Sequence, residues 1–341
     1  MYIFKVIKFI SRLLINQPKG WTNLVLNQIA AFSHLTFAPA LPTYITIEPT
    51  NLCDQKCPIC ETGAGVLNRP QGLISLENFK KIIDKIHSYT NGILFYFMGE
   101  PFLNRDAYEM IKYAKSKNIF VESCTNGNLV DGKKLVDSGI DEISFQIGGT
   151  TQETHQIYRV GGNLEKTINN IKDAVRRKKE TGAKTNIVLG FIVMKHNEHQ
   201  VNDFWKLSKE LGVDRGEIVN PCVNTYQEGK KFLTQNRKYW IYNKELFEKK
   251  EILKPLKVPH NSCWWVWHTT VITWDGNVVP CCRDPKAKYI MGNIFKEDLK
   301  DIWNNKKYQG FRKQILTNQK NIPLCRLCSG YGVPTLHKNK K

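Results

Sequence analysis

Along residues 43–220 the spacing of apolar positions changes repeatedly, and each change marks a new element. Short runs rich in β-branched and aromatic residues predict strands at "TYITIEP" (43–49), "GILFYFMGEP" (92–101) and "IFVESCTNG" (119–127). Three more follow at "DEISFQIGG" (141–149), "NIVLGFIVM" (186–194) and "RGEIVN" (215–220). Between them, apolar residues three and four apart predict amphipathic helices over 75–88, 106–118, 163–182 and 201–212. Ser75 offers an oxygen to the first of these, and Gly182 and Gly212 are natural stops. Strands alternating with helices imply βαβ units and a parallel sheet. An eight-unit barrel takes about 250 residues, roughly 31 per unit, so this stretch holds about six. The expected α/β fold is a partial (β/α)6 TIM-like barrel, with its working residues at the C-terminal ends of the strands.

On either side the pattern breaks. Residues 1–42 read as an amphipathic N-terminal extension: Lys5, Lys8, Ser11 and Arg12 share one helical arc, and Ile3, Phe4, Ile7, Ile10 and Leu14 fill the rest. Its charges interrupt the apolar run well before the roughly 18 residues a bilayer span needs. They also leave no uninterrupted core for a secretory signal. Residues 1–20 suit a helix lying in the cytoplasmic face of a membrane, or one docked on its own domain. Residues 221–262 read as a connector with one helix over 238–250. Residues 263–330 form a small cysteine-rich domain with a hairpin turn at Asp275-Gly276, and 331–341 a basic tail.

Composition refines this picture. With 341 residues, 41% hydrophobic and 24% charged, the chain has room for two domains, or one large domain with an appendage. Its net charge of +19 suggests an anionic partner: nucleic acid, membrane surface or phosphorylated substrate. A lysine-rich solvated surface accounts for the charge equally well. The ten cysteines fall mostly in tight groups with metal-ligand spacing, which in a long chain points to a reducing, cytoplasmic compartment.

The first group, "NLCDQKCPIC" (51–60), supplies Cys53, Cys57 and Cys60 in the first βα loop, with no fourth ligand close behind. A structural zinc or a fully ligated cluster wants four. Either the fourth comes from far along the chain, or one metal site is left open for a small molecule bearing an amine and a carboxylate. C-x3-C-x2-C directly after the first strand of a partial barrel resembles the radical S-adenosylmethionine (SAM) superfamily. The resemblance implies that Cys53, Cys57 and Cys60 hold a 4Fe–4S cluster whose open iron binds SAM and cleaves it to a 5′-deoxyadenosyl radical. "MGEP" (98–101) is similar to the family's G-G-E-P, which would give Gly99, Glu100 and Pro101 to SAM, with Met98 replacing a glycine. "TNG" ends the third strand as in the family, bringing in Thr125 and Asn126. "SFQIGG" (144–149) puts Gln146 and Gly148 where many members have the Ser and Asp of S-x-D-G. Arg159 of "YRVGG" would pair with the SAM carboxylate or an anionic substrate.

A second set lies downstream. Cys325 and Cys328 form a chelating C-R-L-C, while Cys263 and Cys281 flank the hairpin; four thiolates could complete one tetrahedral site. Cys281 and Cys282 would face opposite sides of a strand, so one of them ligates. The layout resembles the shortened SPASM region called a twitch domain, which implies a second, auxiliary 4Fe–4S cluster on Cys263, Cys281, Cys325 and Cys328. A structural zinc on the same four remains open. Cys124 and Cys222 are isolated and read as small core side chains. Trp264, Trp265, Trp267 and His268 would wall a cavity or build the small domain's core, with His268 an optional proton acceptor.

The resemblance implies an iron–sulfur oxidoreductase that abstracts hydrogen from a C–H bond and passes a second electron to the auxiliary cluster. The expected reaction is dehydrogenation of a sugar-like, phosphorylated or lipid-linked substrate, with a flavodoxin- or ferredoxin-type electron donor. A SPASM-type peptide or protein maturase is the alternative, weakened because no leader-recognition domain precedes residue 43. A tRNA-modifying enzyme would share the basic charge, but no RNA-binding module is recognisable, which speaks against nucleic acid. A non-catalytic redox or structural role would require that SAM not bind.

Overall fold

Six parallel strands lie side by side in chain order: β1 (Tyr44–Ile47), β2 (Gly92–Leu94), β3 (Phe120–Thr125), β4 (Glu142–Ile147), β5 (Asn186–Ile192) and β6 (Arg215–Val219). The computed structural model describes residues 19–330 and 335–338, with the backbone alone for 19–20 and 335–338. The amphipathic segment 1–18 lies outside the described residues. Helices return the chain between strands. Leu76–Ile86 opens where the Asn78 N–H donates to Ser75 Oγ at 3.2 Å, and it buries Phe79, Ile82, Ile83 and Ile86 against the sheet. Leu164–Thr181 stops at Gly182, whose φ of 66° suits glycine. Two short helices, Gly132–Asp137 and Gln152–Tyr158, were not expected, being too brief to show a period.

The strand alternation divides two environments. Along β3, Val121, Ser123 and Thr125 are buried, while Glu122 and Cys124 on the other face are half-buried. Register sets Glu122 beside Glu142, itself beside Asn186, Cys124 beside Ser144, and Gln146 beside Gly190, itself beside Glu217. The interior is therefore polar rather than a packed apolar core. Arg215 holds it together, donating from Nη2 to Glu142 at 2.9 Å and from Nε to Glu217 at 2.7 Å.

Both sheet edges are extended. On one side β7 (Thr269–Ile272) pairs in parallel with β1, and β8 (Asn277–Val279) and β9 (Gly292–Asn293) continue antiparallel. The cysteine-rich region thus grows directly from the barrel sheet. On the other side β10 (Thr335–Lys338), within the stretch read as a basic tail, pairs antiparallel with β6. The helix expected over 238–250 is shorter: a 3-10 turn at Arg237–Tyr239, the buried run Trp240–Tyr242, then a helix over Lys244–Lys250. With Val223, Phe232, Leu233 and Phe247 these residues form a second core that packs on Cys57 and Ile59. At the strand-start end, helix Lys19–Phe32 lies against Trp265–His268, and its Leu24 clusters with Tyr44, against which Phe120 and Trp264 also pack. No described helix is long and apolar enough to cross a membrane.

Candidate functional site

At the C-terminal ends of the strands sits a hollow of ≈160 Å³ whose walls include Cys53, Cys57 and Cys60. The structure brings Gly99, Glu100, Thr125, Asn126, Gln146 and Arg159 to the same walls. Pro101 is not on them; it is buried and begins the turn Pro101–Leu103. Sequence reasoning missed Gln55, Thr62, Gly63, Tyr96, Phe97 and Cys124, whose only signal was their closeness to the motifs. A larger depression of ≈430 Å³ near Glu198, Asn202, Gln235 and Lys238 includes none of the cysteines.

The cysteine loop is held from three directions. Asp54, inside the motif, accepts from Asn126 Nδ2 at 2.8 Å and from Asn128 Nδ2 at 2.6 Å. The Lys56 N–H donates to the Val160 carbonyl at 2.8 Å, and the Glu100 N–H to the Leu52 carbonyl at 2.7 Å. That last contact explains Gly99: its φ is +77°, and a Cβ there would lie 2.5 Å from the Leu52 carbonyl oxygen. Met98 keeps its place through its backbone, donating to Glu48 at 3.3 Å.

Glu100 is buried, and its carboxylate accepts from the Thr125 hydroxyl at 2.7 Å and from the N–H groups of Asn126 at 2.8 Å and Phe102 at 3.3 Å. Burial raises its pKa to about 7 despite these bonds. The side chain therefore ties the ends of β2 and β3 together while bordering the hollow. Gln146 donates to Ser144 Oγ at 2.7 Å and lies over Gly190, where a Cβ would approach Gln146 Nε2 to 2.2 Å.

The walls suit an electron-rich guest. Arg159 donates from Nη1 towards Cys57 Sγ at 3.7 Å, yet among the described residues its Nε has no partner, and neither do Gln55 Nε2 and Thr62 Oγ1. Buried donors without acceptors are costly, so these three fit a site completed by sulfide or carboxylate. Burial pushes the thiols of Cys53 and Cys124 up to about 12; it also raises Cys57, with Arg159 opposing. A guest that takes thiolates from this loop must displace protons. Among the described residues no three His, Cys, Asp or Glu side chains converge on a single ion position. A four-iron cluster spreads its thiolates over separate irons and does not ask for such a point.

The second thiol group lies beyond the hollow. Charge on Cys325 or Cys328 would raise the pKa of Cys263, already pushed to about 12 by burial, and Cys281 lies within reach of Cys263. Backbone N–H groups of Arg283 and Gly330 donate to the sulfurs of Cys281 and Cys328 at 3.3 Å each. The opposite-faces argument does not reach Cys281 and Cys282: β8 ends at Val279, and their two thiols share a hydrogen bond. Cys222 is not isolated, since it hydrogen-bonds Arg283 and lies in the field of Cys328 and Cys282. Nor does His268 border the hollow; it is fully buried, stacked on Trp264 at 4.1 Å.

Two features lie between the hollow and the second group. Glu48, at the end of β1, takes both arms of the Arg69 guanidinium and the N–H of Trp274 at 3.2 Å, while Arg69 Nε donates to the Pro285 carbonyl at 2.7 Å. Tyr96 lines the hollow and lies within the electrostatic reach of Cys124 on one side and Cys282 on the other.

Residues 47–204 match the Radical SAM superfamily, and residues 263–329 match SPASM, an iron–sulfur cluster-binding domain. The chain is 26% identical over 316 residues to a tungsten-containing aldehyde ferredoxin oxidoreductase cofactor-modifying protein of Pyrococcus furiosus, covering 84% of this chain and 87% of that one. It is 26% identical over 334 residues to the antilisterial bacteriocin subtilosin biosynthesis protein AlbA of Bacillus subtilis, covering 88% and 69%. Among solved structures, BtrN in complex with AdoMet and 2-DOIA shares the fold at a TM-score of 0.52, with 18% identity over 84% of this chain and 92% of that one. The chain is a member of the radical SAM superfamily with a C-terminal SPASM domain, an iron–sulfur enzyme whose resident groups are a SAM-binding 4Fe–4S cluster, SAM and an auxiliary 4Fe–4S cluster.

Proposed function

We propose that this enzyme carries out a two-electron oxidation of a small, hydroxyl-bearing, sugar-like substrate held in the barrel lumen. When bound, the cluster and SAM supply a 5′-deoxyadenosyl radical that removes one hydrogen atom from substrate carbon, and the auxiliary cluster supplies an acceptor for the second electron. The observation that carries the reading is the grouping of Cys263, Cys281, Cys325 and Cys328, which offers four thiolates and so a saturated cluster. Saturation suits electron transfer better than substrate ligation. In this reading Cys53, Cys57 and Cys60 hold the SAM-binding cluster, and Arg159 and Gln55 meet carboxylate or sulfide.

The remaining roles fall to the lumen. Gln146, Ser144, Glu217 and the Arg215-bridged Glu142 present donors and acceptors in adjoining layers, as a polyhydroxylated substrate requires. A phosphorylated or lipid-linked form would use Arg159 and the chain's positive charge. A flavodoxin- or ferredoxin-type protein would deliver the first electron. Residues 1–20 would touch the inner face of a membrane.

Peptide or protein modification is the second reading, favoured by the length shared with the bacteriocin biosynthesis protein. One experiment separates them. The anaerobically reconstituted enzyme is offered aminocyclitols and nucleotide sugars beside peptides, and products are weighed. A hydroxyl substrate losing two mass units in step with deoxyadenosine supports the proposal. Loss of mass from a peptide alone overturns it.

A further inference from the structure

We propose that the outer face of helix Lys19–Phe32 is a docking surface for anionic lipid, at the end of the barrel opposite the thiol-lined hollow. Trp21, Val25, Ile29 and Phe32 are 40, 48, 53 and 76% exposed. At 100° per residue they fall within an arc of ~80°. Leu35 and Phe37, 47 and 53% exposed, follow directly. Scattered exposed apolar residues are ordinary, but a stripe of this kind on one helix face marks an interaction site.

The inner face of the same helix is firmly seated. Leu24 and Ala30 are buried, Asn27 Nδ2 donates to the Leu41 carbonyl at 3.1 Å, and Trp264 Nε1 donates to Gln28 Oε1 at 2.9 Å. Trp267 Nε1 anchors the following turn on the Leu35 carbonyl at 2.9 Å. The exposed stripe is thus held outward by a rigid attachment to the catalytic body, and is not a loose end awaiting its own core.

Charge selects the occupant. Before Glu48 the chain contains Lys5, Lys8, Arg12 and Lys19 and no acidic residue. An apolar stripe that follows, in sequence, a basic segment free of acidic residues complements a surface that is apolar beneath and negative on top, which describes an anionic bilayer interface. A second copy would bring the same positive charge to this face and be repelled by it. Because Leu24 of the helix clusters with Tyr44, the first residue of β1, and Phe120, the first of β3, packs against that cluster, this surface and the hollow lie at opposite ends of the strands. Docking therefore leaves the mouth of the barrel on the side away from the lipid surface. The inference does not depend on the reaction proposed above.

The test is flotation of the full-length chain with vesicles of phosphatidylglycerol and phosphatidylethanolamine, against vesicles of phosphatidylcholine. The expected result is binding to the anionic vesicles only, weakened by 0.5 M salt (about a 4 Å Debye length), and at least tenfold weaker in the double variant I29E/F32E with SAM cleavage unchanged. Equal flotation of variant and wild type overturns the proposal. So does a wild-type dimer that I29E/F32E splits, which assigns the face to a second copy. A variant that melts earlier without wild-type vesicle binding assigns it to residues 1–18 and also overturns it.

Discussion

Asn126, at the end of β3, donates its side-chain amide to Asp54 at 2.8 Å, so the third strand grips the middle of the cysteine loop. Its backbone N–H holds Glu100 at the same time. Replacing Asn126 with Ala removes the first bond and leaves the second. A hydrogen bond to a charged group contributes about 1.5–3 kcal/mol. The expected outcome is a loosened loop: SAM cleavage falls at least tenfold, and iron in the purified protein drops from about eight towards about four per chain. Iron analysis beside deoxyadenosine release checks this.

Two glycines should respond differently to one methyl group. At Gly99 the added Cβ meets backbone oxygens at 2.5 and 2.7 Å with φ at +77°, so nothing nearby can yield. Gly99→Ala should abolish SAM cleavage. At Gly190 the atoms nearest the added Cβ are the far end of the Gln146 side chain, which can rotate away. Gly190→Ala should keep SAM cleavage within about threefold of wild type, at ~0.6 kcal/mol, while changing substrate affinity. Deoxyadenosine assays with and without substrate separate the two effects.

The Glu48–Arg69 pair is almost wholly buried, with side chains 0 and 7% exposed. Removing one partner leaves the other charged in a dry site, at a cost of about 3–5 kcal/mol. Arg69→Ala should lower stability by that order, and Glu48→Gln combined with Arg69→Met should recover part of it. Denaturant unfolding of all three proteins measures the difference.

His268 supplies a pH signature. Both ring nitrogens are buried without hydrogen-bond partners among the described residues, and burial lowers its pKa from 6.5 to about 3. Below pH 6.5 the unfolded chain takes up a proton that the folded chain refuses, so stability is lost as pH falls from 6.5 towards 3, by at most about 1.4 kcal/mol per unit. His268→Phe should flatten this dependence. Unfolding midpoints between pH 7 and 4 test it.

Much of the architecture was legible because it is local. Alternation gave six strands, and the cysteine loop, Gly99–Glu100 and Thr125–Asn126 lie at strand ends that the pattern located. Long-range pairings left no such trace: nothing in the period of β7 says that it joins β1, or that Thr335–Lys338 lies on β6. Cys222 looked isolated because its neighbours, Arg283 and Cys282, are distant in sequence. Cys281 and Cys282 lie beyond the strand because Pro280 ends it sooner than the apolar run suggests.

The central claim is that Cys53, Cys57 and Cys60 alone serve SAM while a separate thiol group holds a second cluster. The most direct test removes the first three together and measures iron, sulfide, zinc and deoxyadenosine in parallel with wild type. About eight irons and active cleavage in wild type, with about four irons and no cleavage in the triple alanine variant, are expected. Cleavage surviving in that variant, or about four irons with one zinc in wild type, would contradict the account.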